Sequence, residues 1–320
     1  REQAGDMIRA AFDGRMSAYY PHFGDGPLAR VHYIVGLDPN NHPEPDLHEL
    51  ERQIVALART WEDEFVAEGR RSLPDHLRHR LSAYDRAFSA GYRELFAPLE
   101  GLADLLRIES LGDDTHIGAR LYRDEGEDTS ILRLKIYRRN EPTHLSEVMP
   151  ILENMGLNVI QESGYEVRRE TDEAREAIVH IHDFEMRSEA LAGQDITEFS
   201  GAFEDALLAV MANRAENDGF NRLILKLGVS WREAAVLRAL ARYRQQTGLD
   251  PSQAIQEEAL AENPAIARQL LALFDTRFNP DLEMDLETRK EKSASLGKDI
   301  RAQLEKVASI DHDRVLRRLL

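Results

Sequence analysis

LRLKIYRRNEPTHLSEVMPILENMGLNVIQESGYEVR, residues 132–168, decides the fold. Leu132, Leu134 and Ile136 alternate with more polar neighbours, the period of two of a half-buried strand. The period then changes. Leu145, Val148, Leu152 and Met155 lie three or four apart and form one helical stripe. Gly156 follows as the expected left-handed cap. Pro150 falls inside the stripe, so it either kinks the helix or sits in its first turn, where the missing N–H is harmless. Residues 159–168 and 177–187 read as two further strands, with Gly164 a candidate bulge. Upstream, Ile117, Ala119 and Leu121 mark a strand that the acidic, turn-like DEGEDTS (124–130) joins to 132–136 as a hairpin. The order is strand, strand, helix, strand, strand.

Toward the start of the chain, LARVHYIVGL (28–37) reads as a strand with Ala29, Val31, Tyr33, Val35 and Leu37 on one face, and DPNNHPEP after it as a loop. A long helix is expected over 47–68 on the stripe Leu47, Leu50, Ile54, Leu57, Trp61 and Phe65, with Gly69 as its stop. Ser72 and Asp75 resemble a capping box that opens a second helix. Its stripe is Leu73, Leu77, Leu81, Tyr84, Phe88, Tyr92 and Leu95, and Pro98 ends it. Two such helices joined by a tight turn should pack antiparallel.

Beyond Asp195 the pattern is helical, over about 196–214, 220–227, 231–247, 251–261, 264–276 and 285–319. Asp195 with Glu198 and Ser230 with Glu233 are start signals. Pro251 and Pro264 each follow a capping side chain. Gly219, Gly228 and Gly248 are stops. The last stretch is charge-dense, which reads as a solvated face or a linker. The chain starts at Arg1 inside an amphipathic stretch and ends on Leu319 and Leu320, the pattern of a segment cut from a longer protein.

The 320 residues hold 58 acidic and 41 basic side chains, a net charge of -17. That balance opposes a nucleic-acid partner, because phosphate binding needs a cationic footprint. With no cysteine, disulfides, thiolate nucleophiles and thiolate-held zinc are excluded. No apolar run approaches a membrane span and no signal layout is present, so the expected location is the cytoplasm.

Chemistry-bearing patterns are sparse. Neither GxGxxG nor GxxxxGK[ST] occurs, and Gly24 and Gly26 do not follow a strand, so a dinucleotide site is not expected. His180 and His182 fall on one side of a strand and could hold a metal if a carboxylate joined them, but read best as half-exposed strand histidines. His76 and His79 share a helix face without the glutamate of HExxH. His312 reads as solvated helix surface, and Glu125, Glu127 and Asp128 as a solvated hairpin tip. Residues 230–276 have helix-turn-helix spacing with Arg232, Arg238, Arg242 and Arg244. The neighbouring Glu257, Glu258 and Glu262 argue against phosphate contact.

Several stretches are similar to the very large bacterial NAD-specific glutamate dehydrogenases: LARVHYIV (28–35), 132–168, HDF (182–184), ENDGFNRLILKLGVSWREAAVLRALARYRQ (216–245) and DRVLRRLL (313–320). The resemblance spans nearly the whole chain. It implies ACT-type regulatory modules and a helical region that precede the catalytic domain, with no catalytic, cofactor or metal residue in these 320 positions and NAD only in the parent protein. The parent reaction it implies is L-glutamate, water and NAD+ giving 2-oxoglutarate, ammonium and NADH. ACT modules often bind amino acids at the first strand-to-helix turn, commonly with a glycine. Arg139, Asn140, Pro142 and Thr143 occupy that turn here, and Asn140 is the residue able to take the left-handed conformation.

The expected fold is α+β, with a helical hairpin and strand (1–115), an ACT-like βαββ sheet (116–194) and an all-helical region (195–320). The expected role is a non-catalytic regulatory or assembly segment that contacts the catalytic domain of the same polypeptide and forms a homo-oligomer. The alternatives are an amino-acid-sensing module and a helical interaction scaffold unrelated to the dehydrogenase.

Overall fold

The computed structural model describes residues 2–320 apart from 24–28, 40–42, 85, 113–115, 125, 171–175, 247 and 249–251. Leu28, Gly24, Gly26, Glu125, Asp250 and Pro251 therefore lie outside the described residues. Contacts divide the chain into two units, residues 1–85 with 93–102, and residues 86–92 with 103–320.

In the first unit, helix α1 (Glu2–Ala11) precedes an antiparallel ribbon of β1 (Arg15–Phe23) and β2 (Ala29–Gly36). Val31, Tyr33 and Val35 alternate as half-buried positions, as their spacing predicts, while Leu37 is exposed. The partner strand β1 was not legible beforehand. The stripe expected to form one helix over 47–68 is divided between α2 (Leu47–Ala58) and α3 (Trp61–Ser72). Arg59 is extended, and Thr60 with Asp63 forms a reciprocal capping box that starts α3 afresh. Trp61 stacks on Phe65 with ring centroids 5.1 Å apart and donates from Nε1 to the Phe96 carbonyl at 2.8 Å.

The second expected helix is likewise broken, into α4 (Asp75–Arg78), a 3-10 turn at His79–Tyr84 and α5 (Ala90–Leu95). The Ser72–Asp75 box does not form. Ser72 instead donates to the Glu68 carbonyl at 2.8 Å, and Pro74 precedes α4 with no side-chain cap. Pro98 opens α6 (Pro98–Glu109) rather than closing a helix, because its fixed φ and absent N–H suit a first turn.

The second unit is built on a four-stranded antiparallel sheet. Its strands are β3 (Ile117–Tyr122), β4 (Ile131–Arg139), β5 (Asn158–Glu170) and β6 (Glu176–Arg187), in the order β3-β4-β6-β5, with α7 (Leu145–Asn154) between β4 and β5. This is the predicted order. Leu132, Leu134, Ile136, Phe184 and Met186 point to one face, where Val148 and Leu152 of α7 and Phe203 and Leu207 of α8 (Ser200–Met211) join them in one core. Gly156 takes φ 84 as the helix cap, and Leu157 N–H closes back to the Leu152 carbonyl at 3.0 Å. Pro150 sits in the body of α7 and is exposed, and the carbonyl that loses its donor belongs to the exposed Ser146, where water meets it. The irregularity of β5 lies between Val159 and Gln161, not at Gly164, which stays in register opposite His182.

Residues 86–92 and 103–109 cover the other face of the sheet. Phe88 bridges to Val167, and the Ala87 carbonyl accepts from Arg168 N–H at 3.0 Å. Leu105 and Ile108 of α6 are fully buried.

The remaining helices are α9 (Arg222–Leu227), α10 (Trp231–Gln245), α11 (Gln253–Glu262), α12 (Pro264–Phe278), α13 (Leu286–Leu304) and α14 (Ile310–Leu319). The Ser230–Glu233 capping box, the left-handed Gly228 at φ 63 and Pro264 in the first turn of α12 all follow the sequence signals. Others differ. Asp195 caps only a 3-10 turn at Ile196–Glu198, and Gly219 opens a turn instead of ending a helix. The helix expected over 285–319 divides at Ser309, whose hydroxyl caps α14. Its charge-dense sequence is no free linker: Ile300, Leu304, Val315 and Leu316 are buried in a second core with Leu237, Leu260 and Leu270. No helix among the described residues is long and apolar enough to cross a membrane.

Candidate functional site

The β4–α7 turn leaves the sheet at Arg139, whose N–H donates to the His116 carbonyl at 3.0 Å and whose guanidinium donates to the Leu111 carbonyl. Asn140 takes φ 68, the left-handed conformation expected of it, and its N–H reaches the Ile178 carbonyl at 2.9 Å. Pro142 is exposed. Thr143 is buried and donates its N–H to His182 Nε2 at 3.1 Å. Of the four predicted turn residues, Arg139 and Asn140 line a cleft of about 820 Å3, in which they and Arg138 and Glu147 face Met211 and Asn213 at the end of α8, while Pro142 and Thr143 do not line it. Asn140→Ala should lower stability by about 1 kcal/mol, since a Cβ-bearing side chain without local polar contacts disfavours this backbone, while Asn140→Gly should not. Urea unfolding of both variants checks this.

His180 and His182 do share a side of β6, and each meets a carboxylate. His182 Nδ1 lies 2.6 Å from Glu162 Oε1, and His180 Nδ1 lies 3.9 Å from Glu166 Oε1. Because His182 Nε2 accepts from Thr143, its proton sits on Nδ1 and is donated to Glu162. Burial lowers the His180 pKa against the opposing pull of Glu166. The order carboxylate, imidazole, threonine presents no activated nucleophile: the Thr143 hydroxyl is buried and makes no hydrogen bond among the described residues. No group of three or more metal-ligating side chains occurs among the described residues.

A buried polar cluster was missed by sequence reasoning. On the sheet face opposite α7, Lys135 Nζ lies 2.7 Å from Asp104 Oδ2, and both side chains are fully buried. Tyr137 donates to Asp104 Oδ1 at 2.7 Å, Tyr92 donates to the same carboxylate, and Arg120 lies 3.6 Å away. Lys135 also sits over the Tyr92 and Tyr122 rings, 5.3 and 5.5 Å from their centroids. Tyr122 donates to Asp183 at 2.9 Å, and burial raises the Asp183 pKa. The signal was present: an alternating strand whose second face reads Arg133, Lys135, Tyr137 is either solvated or paired, and the stripe of α6 was overlooked.

Burial, and next the Asp104 charge, raise the Tyr137 pKa well above its ordinary value. The unfolded chain loses this proton in the ordinary tyrosine range while the folded one keeps it. Stability is therefore fully present below that range and is lost progressively as pH rises from it toward the raised folded value. Tyr137→Phe should flatten this alkaline loss, as read from urea midpoints across the tyrosine range.

The arginines of the helix-turn-helix-like stretch are occupied. Arg238 is 4% exposed. It grips Asp218 through Nε at 2.8 Å and a terminal nitrogen at 2.9 Å, and donates to Asn221 at 2.7 Å. Arg242 pairs with Glu216 and with Asp218 at 3.3 Å, and Arg232 lies over the Trp231 ring. Gly219 N–H donates to Glu257 at 3.1 Å, and a Cβ at Gly219 would stand 2.3 Å from that carboxylate. At the hairpin, Glu127 is not solvated but pairs with Arg133.

An antiparallel four-stranded sheet with one crossover helix, continued by packed helices, defines an ACT-type module joined to a helical array. Four family models agree, together covering most of residues 1–280. They are described as glutamate dehydrogenase ACT2 domain at residues 1–62, helical motif 2 at 74–111, ACT3 domain at 116–199 and helical motif 3 at 215–280. Curated proteins named NAD-specific glutamate dehydrogenase align with it. The protein from Halomonas elongata is 32% identical over 100% of this chain and 19% of its own length. The one from Pseudomonas aeruginosa is 33% identical over 94% of this chain and 18% of its own. The one from Mycobacterium tuberculosis is 27% identical over 99% and 20%. The chain belongs to the large bacterial NAD-specific glutamate dehydrogenase family, and it spans about a fifth of the length of these relatives.

A Rossmann-type dinucleotide site needs a parallel strand, a glycine-rich turn and a helix N-terminus. The strand-to-helix turn of this antiparallel sheet carries Asn140, Glu141, Pro142 and Thr143 instead. These residues do not fit NAD.

Proposed function

We propose that this chain is a non-catalytic regulatory and assembly segment of a cytoplasmic glutamate dehydrogenase, which converts L-glutamate, water and NAD+ to 2-oxoglutarate, ammonium and NADH elsewhere in the polypeptide. The observation that carries the reading is the run of ACT and helical-motif matches across a chain that covers a fifth of its relatives. Functional boundaries at 1–115, 116–194 and 195–320 accompany it, with the catalytic domain of the same polypeptide as the partner. Homo-oligomerisation is supported by the large apolar side chains that the first unit exposes, among them Tyr20, Leu47, Leu95 and Leu99. Light scattering across a concentration series tests assembly: association is expected, and a monomer at every concentration contradicts it. A sensing role at the β4–α7 turn is supported by left-handed Asn140 and the cleft beside it.

A further inference from the structure

Arg222, the first residue of α9, is half-buried. Among 58 acidic and 41 basic side chains, nearly every buried cation described above meets a carboxylate. The Arg222 guanidinium forms no ion pair or hydrogen bond among the described residues, and its Nε is buried without an acceptor. A buried donor left unmet lowers stability, so such groups normally find a partner in the protein or in a ligand.

Arg222 lines a cleft of about 600 Å3, distinct from the cleft at the β4–α7 turn. The end of α7 and start of β5 contribute Glu153 and Asn158, the segment after β6 contributes Gln194, and α9 contributes Arg222 and Lys226. Glu262, at the α11–α12 junction, holds Lys226 at 3.1 Å on the same wall.

We propose that this cleft binds a small carboxylate, with Arg222 as the bidentate anchor and Lys226, held by Glu262, as a neighbouring hydrogen-bond donor. A guanidinium presents two parallel N–H groups that match both oxygens of a carboxylate. The chain's net charge of -17 gives an anion no long-range attraction, so recognition is local, at the one cation that no acid offsets in this cleft. Asn158 and Gln194 add neutral hydrogen-bonding groups. Glu153 is exposed on the rim and accepts an ammonium group if the ligand carries one. Because the walls come from both the sheet and the helices, an occupant ties the two together and stabilises the native state. The proposal rests on the regulatory reading only for what binding accomplishes, not for binding itself.

Calorimetric titration and thermal unfolding of the whole chain test it, with L-glutamate and 2-oxoglutarate as probes and sodium chloride at matched ionic strength as control. Saturable binding and a raised melting temperature are expected with at least one acid. Preference for glutamate assigns the ammonium to Glu153, and preference for 2-oxoglutarate assigns a simple acid; either supports the site. Arg222→Gln should weaken binding at least tenfold and Lys226→Gln severalfold, while Arg138→Gln in the other cleft leaves it unchanged. If Arg222→Gln fails to fold by circular dichroism, Lys226→Gln decides. No binding of either acid, native affinity in both variants, or loss through Arg138→Gln alone overturns the proposal. The regulatory reading fails separately, through glutamate-dependent NADH formation by this chain.

Discussion

Lys135→Met is expected to lower the unfolding free energy by about 3–5 kcal/mol, the usual cost of leaving a buried charge without its partner. Asp104 and Lys135 are both fully buried, 2.7 Å apart, with Tyr92 and Tyr137 donating to the same carboxylate. Removing the ammonium leaves Asp104 with neutral donors and with Arg120 at 3.6 Å. Adding Asp104→Asn to Lys135→Met should recover part of the loss, because the buried charge is then gone while an acceptor for one of the two tyrosines remains. Guanidinium unfolding of the two single variants and the double variant, read as a double-mutant cycle, measures the coupling. Additive losses would show that the pair contributes only through packing.

Arg238→Ala carries the next largest expectation, also about 3–5 kcal/mol, for the same physical reason in a different place. Its guanidinium satisfies both oxygens of Asp218 and the side-chain carbonyl of Asn221, and these three residues hold the turn that leads into α9. Arg238→Lys should rescue little, since an ammonium cannot reproduce the planar fork. Thermal unfolding with circular dichroism checks both variants. A lysine variant as stable as the native chain would show that charge, not geometry, is what the site needs.

The sheet and its crossover helix were legible because 132–168 switches period cleanly and its stops are chemical: Asn140 and Gly156 both take the positive φ that their residue types favour. The Ser230–Glu233 box and Gly228 were legible for the same reason. Helix length was not. The stripe through Leu57, Trp61 and Phe65 continues across a break, so periodicity reported one helix where Thr60 and Asp63 start a second. Ser309 did the same to the last helix. In both places the capping residue was in the sequence and the apolar spacing outvoted it. The turn at 139–143 was found through its residue types, but the tie of Thr143 to His182 joins positions 39 apart and has no local signal. Lys135 was hidden differently: alternation marks one face as apolar and is silent on whether the other meets water or, as here, α6.

The most direct measurement is NADH formation from L-glutamate and NAD+ by this chain alone, followed at the nicotinamide absorbance with enzyme, substrate and cofactor all varied. The account predicts no glutamate-dependent signal at any concentration. A saturable rate that scales with this chain and falls with Asn140 or Arg222 variants would place the reaction among these residues and contradict it.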